Sequence, residues 1–211
     1  MPRAVGAVRQ LVRSLPGVRR VALVGSRHAG DPTLLSDWDF EVALDDAVAA
    51  DALADQVAAL PALAVFWDPL STRATLIVLL DGPIKIDLIV ADRGNPHPVD
   101  RWDVNPGSLP MIDVHFWDWI LWLGSKRLRG ETDLVREELD KMWNALLQPI
   151  GAPRRVVDVA EATNAYVVAR RVQERKLRVQ LDHRLERQVT AALAQSGVIA
   201  TGHAPDDDTG D

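Results

Sequence analysis

Residues 84–90 read Ile-Lys-Ile-Asp-Leu-Ile-Val, an apolar strand with a carboxylate at its centre. Side chains alternate across a strand, so Ile84, Ile86, Leu88 and Val90 form one face and Lys85, Asp87 and Ile89 the other. Burying an ionised carboxylate without a partner is costly. Asp87 is therefore read as a third carboxylate of a metal site, or as a base beside one. Just upstream, Asp81-Gly82 lies between two apolar runs, 75–80 and 84–90, and is a hairpin-turn dipeptide.

Two more acids precede it in the chain. Residues 38–44 read as a strand, in which Asp37, Asp39 and Glu41 share one face while Trp38, Phe40 and Val42 face a core. Adjacent carboxylates repel and raise each other's pKa, and a divalent cation removes the conflict. Mg²⁺ is held by one or two carboxylates together with substrate phosphates. Further upstream, the short apolar strand 21–24 ends at Gly25-Ser26. Glycine permits a tight turn and the close approach of a ligand to the main chain. Backbone N–H groups at a helix start favour phosphate oxygens, and Arg27 adds positive charge. Gly25, Ser26 and Arg27 are thus the expected nucleotide-binding turn. Asp37, Asp39 and Asp87 are the expected metal ligands and catalytic acids. Two ions roughly 3.5–4 Å apart would stabilise attacking and leaving oxygens, with Asp87 placed to take the acceptor's proton.

Gly25-Ser26, ten intervening residues, Asp37-x-Asp39 and a distant Asp87 together resemble the DNA polymerase beta-type nucleotidyltransferase superfamily. The run Gly-Ser-Arg-x-x-Gly with Ser-Asp-x-Asp is similar to its antibiotic-modifying branch, the aminoglycoside and lincosamide nucleotidyltransferases. The resemblance covers residues 18–91. It implies transfer of a nucleoside monophosphate, AMP by first expectation, from a triphosphate such as ATP to a hydroxyl of a small molecule, with release of pyrophosphate. It also implies Mg²⁺, expected as two ions in the sense of the paired-metal scheme above, and an aminoglycoside-like acceptor. Gly25 and Ser26 would hold the phosphates, Asp37 and Asp39 the metal, and Asp87 would share the metal or act as base. Some antibiotic-modifying members take their base from the C-terminal helical part instead. Other members of the superfamily act on protein or RNA partners of toxin–antitoxin type, and some build their cleft across a homodimer. A non-catalytic nucleotide-binding module is a further reading, against which the intact set of three acids argues.

The remaining chain supports an α/β (α+β) fold in which a mixed-sheet domain precedes a helical bundle. Helical spacing covers 4–15, and Pro16-Gly17 ends it. An alanine-rich helix covers 47–60, with Val48, Leu53 and Val57 inside. Strands are expected at 63–67 and 73–80, with the helices on one face of the sheet. Residues 92–108, rich in proline and glycine, form a linker or substrate loop. Trp102 in this loop either covers a ligand or packs on the seam between the halves. Ser108 is placed to cap a helix running to Leu128. The middle of that helix, residues 116–123, is apolar nearly all round and so belongs in a buried position. Asp118, Trp122 and Lys126 fall on one stripe of it. Facing the cleft, Lys126 would reach phosphate and Asp118 would hold an acceptor amine or act as base. The alternative is a tryptophan-rich core with a paired aspartate. His28 reads as a solvated loop histidine and His115 as a buried, hydrogen-bonded one. Residues 131–147 form an amphipathic helix, and 154–194 one long helix or two. The pairs Arg170-Arg171 and Arg175-Lys176 read as a solvated face. The expected division is 1–107, 108–196 and a mobile tail, 197–211.

With 211 residues the chain can bury a sizeable core. A formal net charge of -6 argues against broad nucleic-acid binding. The absence of cysteine excludes thiolate metal sites, disulfides and a cysteine nucleophile. No segment reaches the ~20 apolar residues of a membrane span. The N-terminus offers no plausible signal cleavage site, so a cytoplasmic location is expected.

Overall fold

The computed structural model describes residues 1–45 and 48–200. The N-terminal half runs α1 (Arg3–Ser14), β1 (Val18–Leu23), α2 (Gly25–Ala29), β2 (Trp38–Leu44), α3 (Val48–Ala58), β3 (Ala64–Trp67), β4 (Arg73–Leu80) and β5 (Ile84–Gly94). The strands form one mixed sheet in the order β1-β2-β5-β4-β3. The β2–β5 pair is parallel; the other three pairs are antiparallel. The Asp81-Gly82 turn makes the β4–β5 hairpin, as its dipeptide demands. Gly82 has φ +115°, a backbone conformation that side chains rarely adopt.

The sheet is covered on both faces, where the sequence pointed to helices on one. On one face α1 buries Val5, Val8 and Val12 and α3 buries Leu53 and Val57, against Phe40, Val42, Leu76, Val78, Ile86, Leu88 and Val90. On the other face Phe66, Ile77 and Leu79 join the core of the C-terminal helices. That is why residues 74–80 are buried without a break: a strand covered on both sides has no polar face to alternate with.

The C-terminal half is built on α4 (Leu109–Leu128). Around it lie α5 (Thr132–Met142), a π-helical turn (Trp143–Leu147), the single turn α6 (Gln148–Ile150), α7 (Val159–Leu177) and α8 (Arg184–Gln195). Phe116, Trp117, Ile120 and Leu123 of α4 are fully buried, as an all-round apolar helix requires. Ser108 stands at the N-cap position, but its hydroxyl donates to the Asp103 carbonyl rather than capping the helix.

Residues 154–194 resolve into two helices, broken where Arg178 takes a left-handed conformation (φ 55°). Arg170, expected on a solvated face, is instead fully buried. Its guanidinium pairs with Asp113, Glu174 and Glu186. Within the expected mobile segment 197–211, Val198 and Ile199 are buried, and the Val198 N–H donates to the Leu193 carbonyl. Residues 201–211, with Asp206-Asp207-Asp208, lie outside the described residues, as do Asp46 and Ala47. No helix among the described residues is long and apolar enough to cross a membrane.

Candidate active site

Register brings the acids together. In the parallel β2–β5 pair, Asp39 lies directly beside Asp87, and Asp37 immediately precedes β2. One carboxylate oxygen from each of Asp37, Asp39 and Asp87 lies within 4.8 Å of the others. Across β4, Ile77 pairs with Asp87 and Leu79 with Lys85. Ile77 and Leu79 belong to the helical core, so Asp87 and Lys85 look toward the C-terminal helices. The cluster therefore sits between the sheet and α4.

The Gly-Ser turn abuts the same cluster. Gly25 has φ +67°, and a Cβ there would run into the Asp39 carboxylate, 2.9 Å from its Cγ. The Val24 N–H donates to the Asp39 carbonyl. Only glycine allows the main chain to turn this close to the acid. Ser26 follows in the first turn of α2. Arg27 is less free than the sequence implied. Its guanidinium donates to the Ser36 and Asp37 carbonyls and lies 4.2 Å from the Trp38 ring centroid. It clamps the loop that delivers Asp37, and burial lowers its pKa against the pull of Asp37 and Asp39.

The stripe Asp118, Trp122, Lys126 on α4 does face the cleft. Asp118 meets Lys85 from the sheet, and Trp122 lines the same cavity as Asp87. Ser125 Oγ lies 3.0 Å from Thr33 Oγ1 in the loop before β2. Lys126, at the end of the stripe, is half-buried over the Trp122 ring and 3.8 Å from Glu131. It lies near enough to Asp39 to favour that carboxylate's charged form. Asp118 is not free for an acceptor amine: its Oδ1 takes a 2.5 Å hydrogen bond from Lys85 Nζ. Trp102 packs against the helical core, and its backbone N–H donates to the Ala145 carbonyl. That places it on the seam between the halves. His115 is buried as expected but not hydrogen-bonded; both ring nitrogens lack a partner among Phe66, Trp102 and Trp119.

Lys85 is the residue that sequence reading passed over. Alternation places it on the Asp87 face, but nothing local announces its partner on α4, 33 positions away. Its Nζ is 3.2 Å from Asp87 Oδ1 and 2.5 Å from Asp118 Oδ1, and the two acids raise its pKa despite burial.

The electrostatics are those of an anionic cluster short of positive charge. Asp39 is pushed up to about 6 by burial and by Asp37 beside it, with Lys85 and Lys126 opposing. Asp87 is also driven up, first by burial and then by the neighbouring acids, against the pull of Lys85. Its Oδ1 is buried without a hydrogen-bond partner. Three converging carboxylates facing a single buried ammonium fit a hard divalent cation, which takes oxygen ligands and offsets their repulsion.

Fold and site together define a mixed-sheet α/β domain, completed by helices, with a cation-type carboxylate cluster beside a Gly-Ser turn. No protein-family model matches the chain, and no curated protein matches it. Among solved structures it is similar to an aminoglycoside 6-adenyltransferase from Bacillus subtilis. The match covers 89% of this chain and 95% of that one, at 12% identity and a TM-score of 0.33. So loose a superposition carries no weight for function, which rests on the residues of the site.

Proposed function

We propose that this protein is a divalent-cation-dependent nucleotidyltransferase that moves a nucleoside monophosphate from a triphosphate to a hydroxyl of a small, cationic acceptor. The observation that carries the reading is the Asp37/Asp39/Asp87 cluster, held in register on one sheet and abutting Gly25. Asp37, Asp39 and Asp87 would hold the cation. The bound cation supplies neutralisation of the triphosphate and a lowered pKa for the attacking hydroxyl. Gly25 and Ser26 would hold phosphate oxygens beside the acids, and Lys126 adds positive charge near Asp39. With a cation offsetting the repulsion of its neighbours, Asp87 would be ionised and placed to accept the proton of the acceptor hydroxyl. Positioning and charge neutralisation then do most of the catalysis.

An acceptor has a place to sit. A cavity of about 830 Å³ reaches Asp87 and is lined by Trp119 and Trp122 together with Asp68, Asp100 and Glu138. That volume suits a small molecule. Aromatic walls and carboxylates suit a hydroxylated, positively charged one such as an amino sugar.

The test is incubation with Mg²⁺, labelled nucleoside triphosphates and a panel of aminoglycosides, following pyrophosphate release and label on the acceptor. Label arriving on a protein or an RNA instead would overturn the acceptor class. No transfer to any acceptor, with no divalent-cation binding, would overturn the reaction.

A further inference from the structure

Lys85 and Asp118 have no evident reason to be charged on grounds of stability. Lys85 shares its sheet face with the buried apolar residues Ile77 and Leu79. Asp118 lies on α4 among buried tryptophans and Ile120. Apolar residues of similar size would fill this space at little or no cost, because buried ion pairs seldom outperform hydrophobic replacements. The geometry of the pair is unequal. The ammonium sits 2.5 Å from Asp118 but 3.2 Å from Asp87, and only the Asp118 contact is a hydrogen bond. Asp87 Oδ1, the oxygen facing the ammonium, is thus held by an ion pair without a hydrogen bond. Without Asp118, the same ammonium would have a single nearby anion to satisfy it. It would close on Asp87 and compete with any cation for that carboxylate.

We propose that Asp118 is a positioning residue that draws the Lys85 ammonium away from Asp87 and so keeps the Asp87 carboxylate open to a divalent cation. The inference rests on the carboxylate cluster being a cation site. It ties the position of α4, and with it the acceptor cavity, to the state of the site on the sheet. A shift of α4 away from the sheet would release Lys85 onto Asp87 and weaken cation binding.

The test is binding of Mn²⁺ alone to the full chain, by calorimetry or by electron paramagnetic resonance, with thermal melts to check folding. Wild type binds and Asp39→Asn does not; a wild type that fails to bind sinks the cation site itself, a separate failure. Asp118→Asn leaves Lys85 paired with Asp87, so no buried charge is stranded, and its Mn²⁺ affinity falls by about ten-fold or more. Adding Lys85→Met to that variant removes the competitor and restores affinity to within about three-fold of wild type. A merely structural role for Asp118 predicts no such rescue. Wild-type affinity in Asp118→Asn, or a double variant as weak as the single, overturns the proposal. Should Asp118→Asn fail to fold, the neutral pair Lys85→Met with Asp118→Leu serves in its place. It is expected to bind Mn²⁺ nearly as wild type does, and a ten-fold loss there overturns the proposal equally.

Discussion

Asp39 concentrates the chemistry of the site in one side chain. It pairs with Asp87 across the sheet, touches the Gly25 turn, and carries a pKa raised by burial and by Asp37. Asp39→Asn keeps the shape and removes the charge. Turnover in a nucleotidyl-transfer assay should fall by at least about 10³-fold. The melting temperature of the metal-free protein should hold or rise, because a repelling carboxylate has gone. Rates within a few-fold of wild type would detach Asp39 from the reaction. His115 makes the opposite kind of statement. Its two nitrogens are buried without partners, and burial lowers its pKa to about 4. The folded state thus prefers the neutral ring. That preference costs nothing above about pH 6.5, the ordinary value for histidine, and progressively destabilises the fold as pH drops toward 4. Over that window wild type should lose about 3 kcal/mol relative to His115→Phe. Urea unfolding at pH 7.5 and pH 4.5 measures it, and parallel pH dependence in both proteins would refute it.

At the scale of elements, α4 is the part on which the site depends. It contacts the sheet through Asp118, the Asp37 loop through Ser125, and α8 through Gly124. A Cβ at Gly124 would come within 2.5 Å of Leu193 and 2.9 Å of Leu35. Leu35 directly precedes Ser36-Asp37. Gly124→Val should therefore push both the loop and α8 outward. We expect a loss of about 1–3 kcal/mol in urea unfolding, and a larger loss in kcat than the stability change alone explains. Unchanged kinetics in the folded variant would mean that the loop position does not depend on α4. The same close approach explains why the clamp by Arg27 matters. The loop carrying Asp37 is held both by the Arg27 guanidinium and by Ser125 of α4.

For the molecule as a whole, the proposed function makes proton and cation competitors for one cluster. The raised pKa of Asp39 favours the folded, metal-free protein fully below the ordinary carboxylate value. That contribution is lost as pH rises through about 6. Above that pH the repelling charges are uncovered, and a divalent cation restores what was lost. Mn²⁺ at a hundred-fold excess over its Kd should stabilise the protein by about 2.7 kcal/mol at pH 8. The shift in melting temperature should shrink toward zero as pH falls below 6, because binding must then displace protons. A shift independent of pH, or one retained in Asp39→Asn, would place the cation elsewhere.

Periodicity and turn chemistry made much of this legible beforehand. Alternation in 38–44 and 84–90 assigned Asp39 and Asp87 to strand faces, and the Asp-Gly dipeptide paired β4 with β5. The all-round apolar stretch of α4 marked a central helix. Those signals are local, written within a few residues of where they act. The buried pairing of Lys85 with Asp118, the burial of Arg170 and the seating of Val198 and Ile199 depend on side chains contributed by distant segments. Local patterning is blind to such partners: a lysine in a strand reads the same whether it meets water or a carboxylate on a helix 33 residues later. The covering of both sheet faces was likewise settled only when the helices closed over β3 and β4. The sequence by itself determined which elements present the candidate acids and which strand faces those acids occupy. Tertiary structure decided which charges are paired, because burial and partner distance exist only once the chain has closed on itself.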